Sequence, residues 1–204
     1  MKQYPSITKQ TQNIYVYAFD KLDGSNIRAE WDRKKGFCKF GSRHQLIDNT
    51  HLFLGKAPEM IRAKYEKELT DVFKKERFEK VVCFFEFFGP SSFAGVHVDE
   101  EPHDVVLFDV DVFKKGLIAP REFIKTVGHL DIPKVVYQGN LNSEFVEDVR
   151  QGKLNNVTFE GVVCKSNETD KYGHPIMFKV KSEAWLTKLR NFCKDDEKLF
   201  EQLA

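Results

Sequence analysis

Lys21 sits in the stretch Asp20-Lys21-Leu22-Asp23-Gly24-Ser25-Asn26-Ile27-Arg28, between two runs that alternate like strands, 13–19 and 26–31. That pattern predicts a bend between paired strands with one amine at its tip. Such an amine is a nucleophile if its surroundings keep it unprotonated, although the stretch alone also reads as a surface turn with a solvated lysine. Lys179 and Lys181 share one face of the run 176–181 by the period of two. Two lysines side by side repel unless an anion sits between them; a solvated sheet face is the alternative. Glu86 interrupts 81–90, a run apolar on both faces, as in a strand covered on both sides. A carboxylate there must be paired in a structural ion pair or face a polar cleft, because burying it unpaired costs several kcal/mol or more. Glu160 precedes another buried-looking strand, 161–165. Arg43 ends a short strand and reads either as a second cleft cation or as an ordinary surface arginine.

These residues need elements to hold them. After the Lys21 hairpin, 33–36 reads as a turn and 37–43 as a third strand of an antiparallel meander. From Pro58 to Lys80 apolar residues recur at three and four, predicting a helix whose charged residues form a solvated face. The segment 105–113 reads as a strand with Asp109 and Asp111 on one face and Phe108 and Val110 on the other. Pro120 opens a short helix, 134–137 is a brief edge strand, and Asn142 or Ser143 caps a helix ending near Arg150 and Gly152. Residues 182–203 read as a C-terminal helix. The loop 91–103 carries Gly95, the acidic run Asp99-Glu100-Glu101, and His97 and His103, which have no metal-like partners in sequence.

Composition narrows the classes. With 204 residues the chain can bury a proper core, and 19 phenylalanines make that core phenylalanine-rich. A net charge of +1 supplies no global basic field, so any nucleic-acid surface must be local. The four cysteines are widely spaced without a CxxC pair, which favours reduced packing residues over disulfides or zinc. No apolar run reaches transmembrane length and no signal peptide opens the chain, pointing to a soluble, reducing, cytoplasmic setting.

In their order along the chain, the motifs resemble those of the covalent nucleotidyltransferases, the polynucleotide ligases and messenger-RNA capping enzymes. The matching elements are Lys21-Leu22-Asp23-Gly24, Glu86 before Phe87-Phe88-Gly89, Phe108-Asp109, Glu160-Gly161-Val162-Val163-Cys164-Lys165, and Lys179-Val180-Lys181. Asp23-Gly24-Ser25-Asn26 and Phe40-Gly41-Ser42-Arg43 point further, to ATP-dependent RNA ligases of the double-strand-sealing type found in phages and other microbes. The resemblance implies an α+β, antiparallel-sheet nucleotidyltransferase (ATP-grasp-like) domain spanning 1–204. Only about 23 residues follow Lys181, so no C-terminal OB-fold or helical domain is expected, and a protein partner could supply the missing RNA surface. It also implies ATP and Mg2+ or Mn2+ as cofactors, and RNA with 5′-phosphate and 3′-hydroxyl ends as substrate.

The same resemblance assigns roles. Lys21 becomes covalently linked to AMP. Lys179 and Lys181 neutralise the phosphates and depress the Lys21 pKa from its ordinary value of about 10.4. Glu160 lies near the metal and Lys21; Glu86 holds a ribose hydroxyl, Arg43 grips ribose or phosphate, and Phe108 stacks on adenine. Asp20 and the backbone beside it, through Leu22, read the adenine edge. Asp23 and Asn26 orient the loop or the ribose-phosphate, and Arg28 is a further candidate. A DNA ligase, a GTP-dependent capping guanylyltransferase and a non-catalytic RNA-binding module remain as alternatives.

Overall fold

The computed structural model describes residues 1–9, 11–90 and 102–204. They form two compact units. Of the 91–103 loop read from sequence, only Pro102 and His103 fall within the described residues.

One unit is built on a six-stranded sheet in the order β4-β3-β2-β5-β6-β7. Its strands are β2 (Ser25–Asp32), β3 (Gly36–Gly41), β4 (Leu46–Ile47), β5 (Lys80–Phe88), β6 (Asp104–Val112) and β7 (Gly116–Leu117). All are antiparallel to their neighbours. Helix α1 (Ala57–Lys75) buries Ile61, Tyr65, Leu69 and Phe73, four residues apart, which is one stripe of a helix. That stripe meets the sheet face of Trp31 and Phe85: Trp31 lies 5.2 Å from Phe73, Tyr65 lies 5.2 Å from Phe85, and the Trp31 Nε1–H donates to Thr70 Oγ1 at 2.9 Å. Helix α2 (Pro120–Val127) begins at its proline, as predicted. The phenylalanine-rich core is present, with Phe37, Phe73, Phe84, Phe85 and Phe123 of this unit fully buried.

The second unit has a four-stranded antiparallel sheet, β10-β9-β1-β8. It comprises β1 (Tyr15–Asp20), β8 (Val135–Asn140), β9 (Gly161–Thr169) and β10 (Pro175–Lys181), with helices α3 (Ser143–Arg150), α4 (Glu183–Cys193) and α5 (Glu197–Leu203). Helix α3 is capped as expected, Asn142 Oδ1 accepting from the Phe145 N–H at 2.8 Å. It packs Phe145, Val146 and Val149 against Val16, Ala18, Val162, Cys164, Phe178 and Val180. The alternation of β10 therefore buries Phe178 and Val180 under α3 and turns Lys179 and Lys181 to the other face.

Two expectations are corrected. β1 and β2 do not pair: β1 lies between β8 and β9, whereas β2 lies between β3 and β5. The bend at Lys21–Gly24 is thus a crossing between sheets, and the alternation that identified two strands carried no information about their partners. The C-terminal helix is broken in two. Lys194 takes a positive φ of 51°, and Asp196 starts α5 by accepting from the Leu199 N–H at 3.0 Å. All four cysteines are free, three of them buried.

Gly161, the first residue of β9, has a φ of +130°, and a Cβ there would lie 2.1 Å from the Val180 carbonyl oxygen. Gly161→Ala combines backbone strain with backbone overlap, so it should cost about 3 kcal/mol or more. The expected result is a clearly lowered urea or thermal midpoint; an unchanged midpoint would refute this account of the Glu160–Gly161 corner.

Candidate active site

The backbone fixes where Lys21 goes. Asp20 pairs with Val162 across β1 and β9, and the Lys21 N–H donates to the Gly161 carbonyl at 2.9 Å. On the far side of β9, Lys181 pairs with Gly161, and the Ser182 N–H donates to the Glu160 carbonyl at 3.0 Å. Glu160 is therefore flanked by the chain carrying Lys21 and the chain carrying Lys181. Ser182 tightens the corner: its hydroxyl donates to the Phe159 carbonyl at 2.7 Å and accepts from the Trp185 N–H, capping α4.

The side chains converge. Lys21 Nζ donates to Glu160 Oε2 at 2.6 Å, and Lys181 Nζ lies 2.9 Å from Glu160 Oε1. One buried carboxylate thus bridges two ammonium groups, the arrangement that lets like charges share a confined space. The environments of the amines differ. The Lys181 side chain is 8% exposed, its Nζ 3.6 Å above the Trp185 ring and donating to the Leu203 carbonyl at 3.0 Å. The Lys21 side chain is 23% exposed, leaving a path for a reactant. Burial first, with Lys21 and Lys179 adding to it against the opposing pull of Glu160, brings the Lys181 pKa down to about 8. Lys179 Nζ donates to the Ala204 oxygen at 3.1 Å.

Asp20, expected to help read an adenine edge, spends its carboxylate on Thr158, accepting from the backbone N–H at 2.9 Å and from the hydroxyl. Burial raises the Asp20 pKa. Leu22 and Asp23, both half-buried, lie in the crossing segment. Lys165, to which the motif gave no role, is buried on the lysine face, its Nζ 5.0 Å above the Phe19 ring. Sequence gives Thr158 no role and marks Trp185 only as an apolar residue of the C-terminal helix that packs back; the Ser182 cap three residues before it is the nearest further signal.

The remaining predicted residues belong to the six-stranded sheet. Asn26 pairs with Glu86 across β2 and β5, and Asn26 Oδ1 is buried with no hydrogen-bond partner. Phe108 sits where the β5–β6 register slips by one residue, 5.0 Å from the ring of Tyr4. The Tyr4 hydroxyl donates to Asp109 Oδ2 at 2.8 Å. Arg43 is exposed in the turn between β3 and β4. Arg28 is a buried clamp, its Nε donating to the Ser42 carbonyl at 2.7 Å and Nη1 to the Met1 carbonyl at 3.1 Å.

For a metal, the described residues contain no cluster of three His, Cys, Asp or Glu side chains. Glu160 alone fits the habit of magnesium, which takes one or two carboxylates and completes its shell with substrate phosphates and water.

Residues 14–181 match the family model described as RNA ligase. A mutant Naegleria gruberi RNA ligase with AMP and Mn superimposes with a TM-score of 0.67 at 16% identity, over 92% of this chain and 58% of that one. The same organism's RNA ligase with PPi gives 0.66 at 16% identity, over 94% and 58%. A mutant with ATP and Mn gives 0.62 at 18%, over 85% and 51%. At such identities the likeness establishes the fold, and this chain covers less than two thirds of those proteins. Among curated proteins none matches the sequence. No helix of the described residues is long and apolar enough to cross a membrane.

Proposed function

Because the chain belongs to the RNA ligase family, we propose that it joins RNA ends bearing a 5′-phosphate and a 3′-hydroxyl, using ATP. The observation that supports this most is the Lys21–Glu160–Lys181 bridge, an accessible amine against a buried carboxylate that a second cation holds in place. In the first step the Lys21 ammonium gives up one proton to solvent, and the neutral Nζ attacks the α-phosphorus of ATP. A P–N bond forms as the P–O bond to pyrophosphate breaks, and the amine proton passes to Glu160 or to water. Lys179 and Lys181 neutralise the phosphates. AMP then moves to the RNA 5′-phosphate, and the 3′-hydroxyl displaces it to make the phosphodiester. Positioning and fixed charge do most of this work. Glu160 would hold the divalent ion, which when bound offsets negative charge on the phosphates. Roles for Asn26, Arg43, Glu86 and Phe108 toward the nucleotide are part of the proposal on the motif match alone, and alanine variants at each test them.

Incubation with α-labelled ATP or GTP and magnesium, followed by nicked duplexes with RNA or DNA at the 3′-hydroxyl side, tests the reading. An ATP-specific protein label chased into sealed RNA supports it. Labelling by GTP, or sealing confined to DNA, would replace it with a capping or DNA ligase assignment.

The second-order rate of AMP labelling should decline above about pH 8, where Lys181 in the free protein loses its charge. Lys181→Arg keeps the cation and should remove that alkaline decline even if the absolute rate falls; an identical alkaline limb in both proteins would refute the assignment.

A further inference from the structure

A chain of net charge +1 has no global field to gather a polyanion, so charge must be concentrated where a strand is held. It is concentrated in a cavity of about 630 Å³, lined by Lys9, Arg150, Lys179, Lys181 and Arg190 against one acidic side chain, Glu183, and the terminal residue Ala204, whose oxygen accepts from Lys179. Lys179 and Lys181 tie this cavity to the catalytic lysines, while the other cations lie outside the cluster that holds Lys21. Arg150 comes from the last turn of α3, Arg190 from the last turn of α4, and Lys9 from the segment before β1. Arg150 lies 4.0 Å from Glu147, and Arg190 lies 3.1 Å from Glu197 and 4.0 Å from the Phe200 ring. Both ion pairs are about half exposed, so they contribute little and are readily exchanged for a phosphate.

We propose that this cavity receives the sugar-phosphate backbone of the RNA strand that carries the 5′-phosphate, with Lys9, Arg150 and Arg190 each contacting a backbone phosphate. The inference rests on the RNA-joining reading above. The cavity is larger than a pyrophosphate needs, and its cations come from four separate parts of the chain: the segment before β1, α3, β10 and α4. A dispersed set suits phosphates spaced along a strand. Adjacency to Lys179 and Lys181 would deliver the terminal phosphate to the group it must attack.

Binding of a fluorescein-labelled, 5′-phosphorylated oligoribonucleotide, followed by anisotropy without ATP over a salt series, tests this with Lys9→Glu, Arg150→Glu and Arg190→Glu. Each variant should bind at least about tenfold more weakly, with a salt slope reduced by about 0.7 per lost contact. AMP labelling should stay within about twofold of the unsubstituted protein. Lys9→Glu disrupts no helix ion pair, so its result stands even if an arginine variant folds poorly. Unchanged RNA affinity and slope in all of them would overturn the proposal. So would intact RNA binding with weakened use of ATP, which would make the cavity a triphosphate site. Anisotropy needs no catalysis, so a protein that never labels with AMP would sink the ligase reading while leaving the cavity to be judged on binding.

Discussion

Lys21→Ala is expected to leave no detectable AMP on the protein while the fold persists. The rival nucleophile is Lys181, whose pKa of about 8 makes it the amine that gives up its proton more readily than an ordinary lysine. Geometry decides against it. Its Nζ is enclosed by Glu160, the Trp185 ring and the Leu203 carbonyl, and its side chain is only 8% exposed, against 23% for Lys21. A buried cation that is hydrogen-bonded on several sides can stabilise a phosphate but has no clear line of attack on phosphorus. Removal of Lys21 still leaves Glu160 paired with Lys181, so the thermal midpoint should stay near that of the unsubstituted chain. RNA supplied with AMP already on its 5′-phosphate needs no lysyl intermediate, and the variant should still seal it. Failure on that substrate would mean that Lys21 does more than accept AMP.

Glu160→Ala should be the more damaging change to the molecule as a whole. It removes the carboxylate that both ammonium groups share, and breaking a buried pair from one side costs about 3–5 kcal/mol. AMP labelling should fall by about 10²-fold or more, the scale of losing a positioned proton acceptor. The stability loss should depend on pH in a definite sense. The folded-state pKa of Lys181 already lies below its ordinary 10.5, and without the favourable pull of Glu160 it should drop further. Between the folded and unfolded values the unfolded chain binds more protons, so stability rises with pH across that window. For the unsubstituted protein the window runs from about 8 to 10.5; in Glu160→Ala it should open at lower pH, so that part of the loss is recovered in alkaline solution. Urea midpoints from pH 7 to 10 measure this. A deficit that stays constant or grows with pH would show that Lys181 is not the strained group.

How far the sequence carried these conclusions depended on the range of the interactions involved. Period-two alternation placed Lys179 and Lys181 on one face of β10, and the cap residue Asn142 marked the start of α3, because both signals are local. The pairing of β1 with β8 and β9 lay beyond any such pattern: residues 15–19 meet partners in 135–140 and residues 17–20 in 162–165, and alternation says only that a strand has two faces. The bridge from Glu160 to Lys21 follows from that long-range register, so proximity was expected from motif order and not from the spacing of residues. Asp20 shows the same limit from another side: its carboxylate accepts from Thr158 across 138 residues of sequence, a contact that no local pattern announces. Trp185 was legible only as an apolar residue of the C-terminal helix, and its place beneath Lys181 was not.

The central claim is that the Lys21 amine takes AMP from ATP beside a carboxylate shared with Lys181. Peptide mass spectrometry after incubation with ATP and magnesium, under conditions that preserve phosphoramidates, tests it most directly. The account predicts one AMP adduct, on the peptide containing Lys21, absent from Lys21→Ala. An adduct on Lys181 or another residue, or none in a protein that nevertheless seals RNA with ATP, would contradict it.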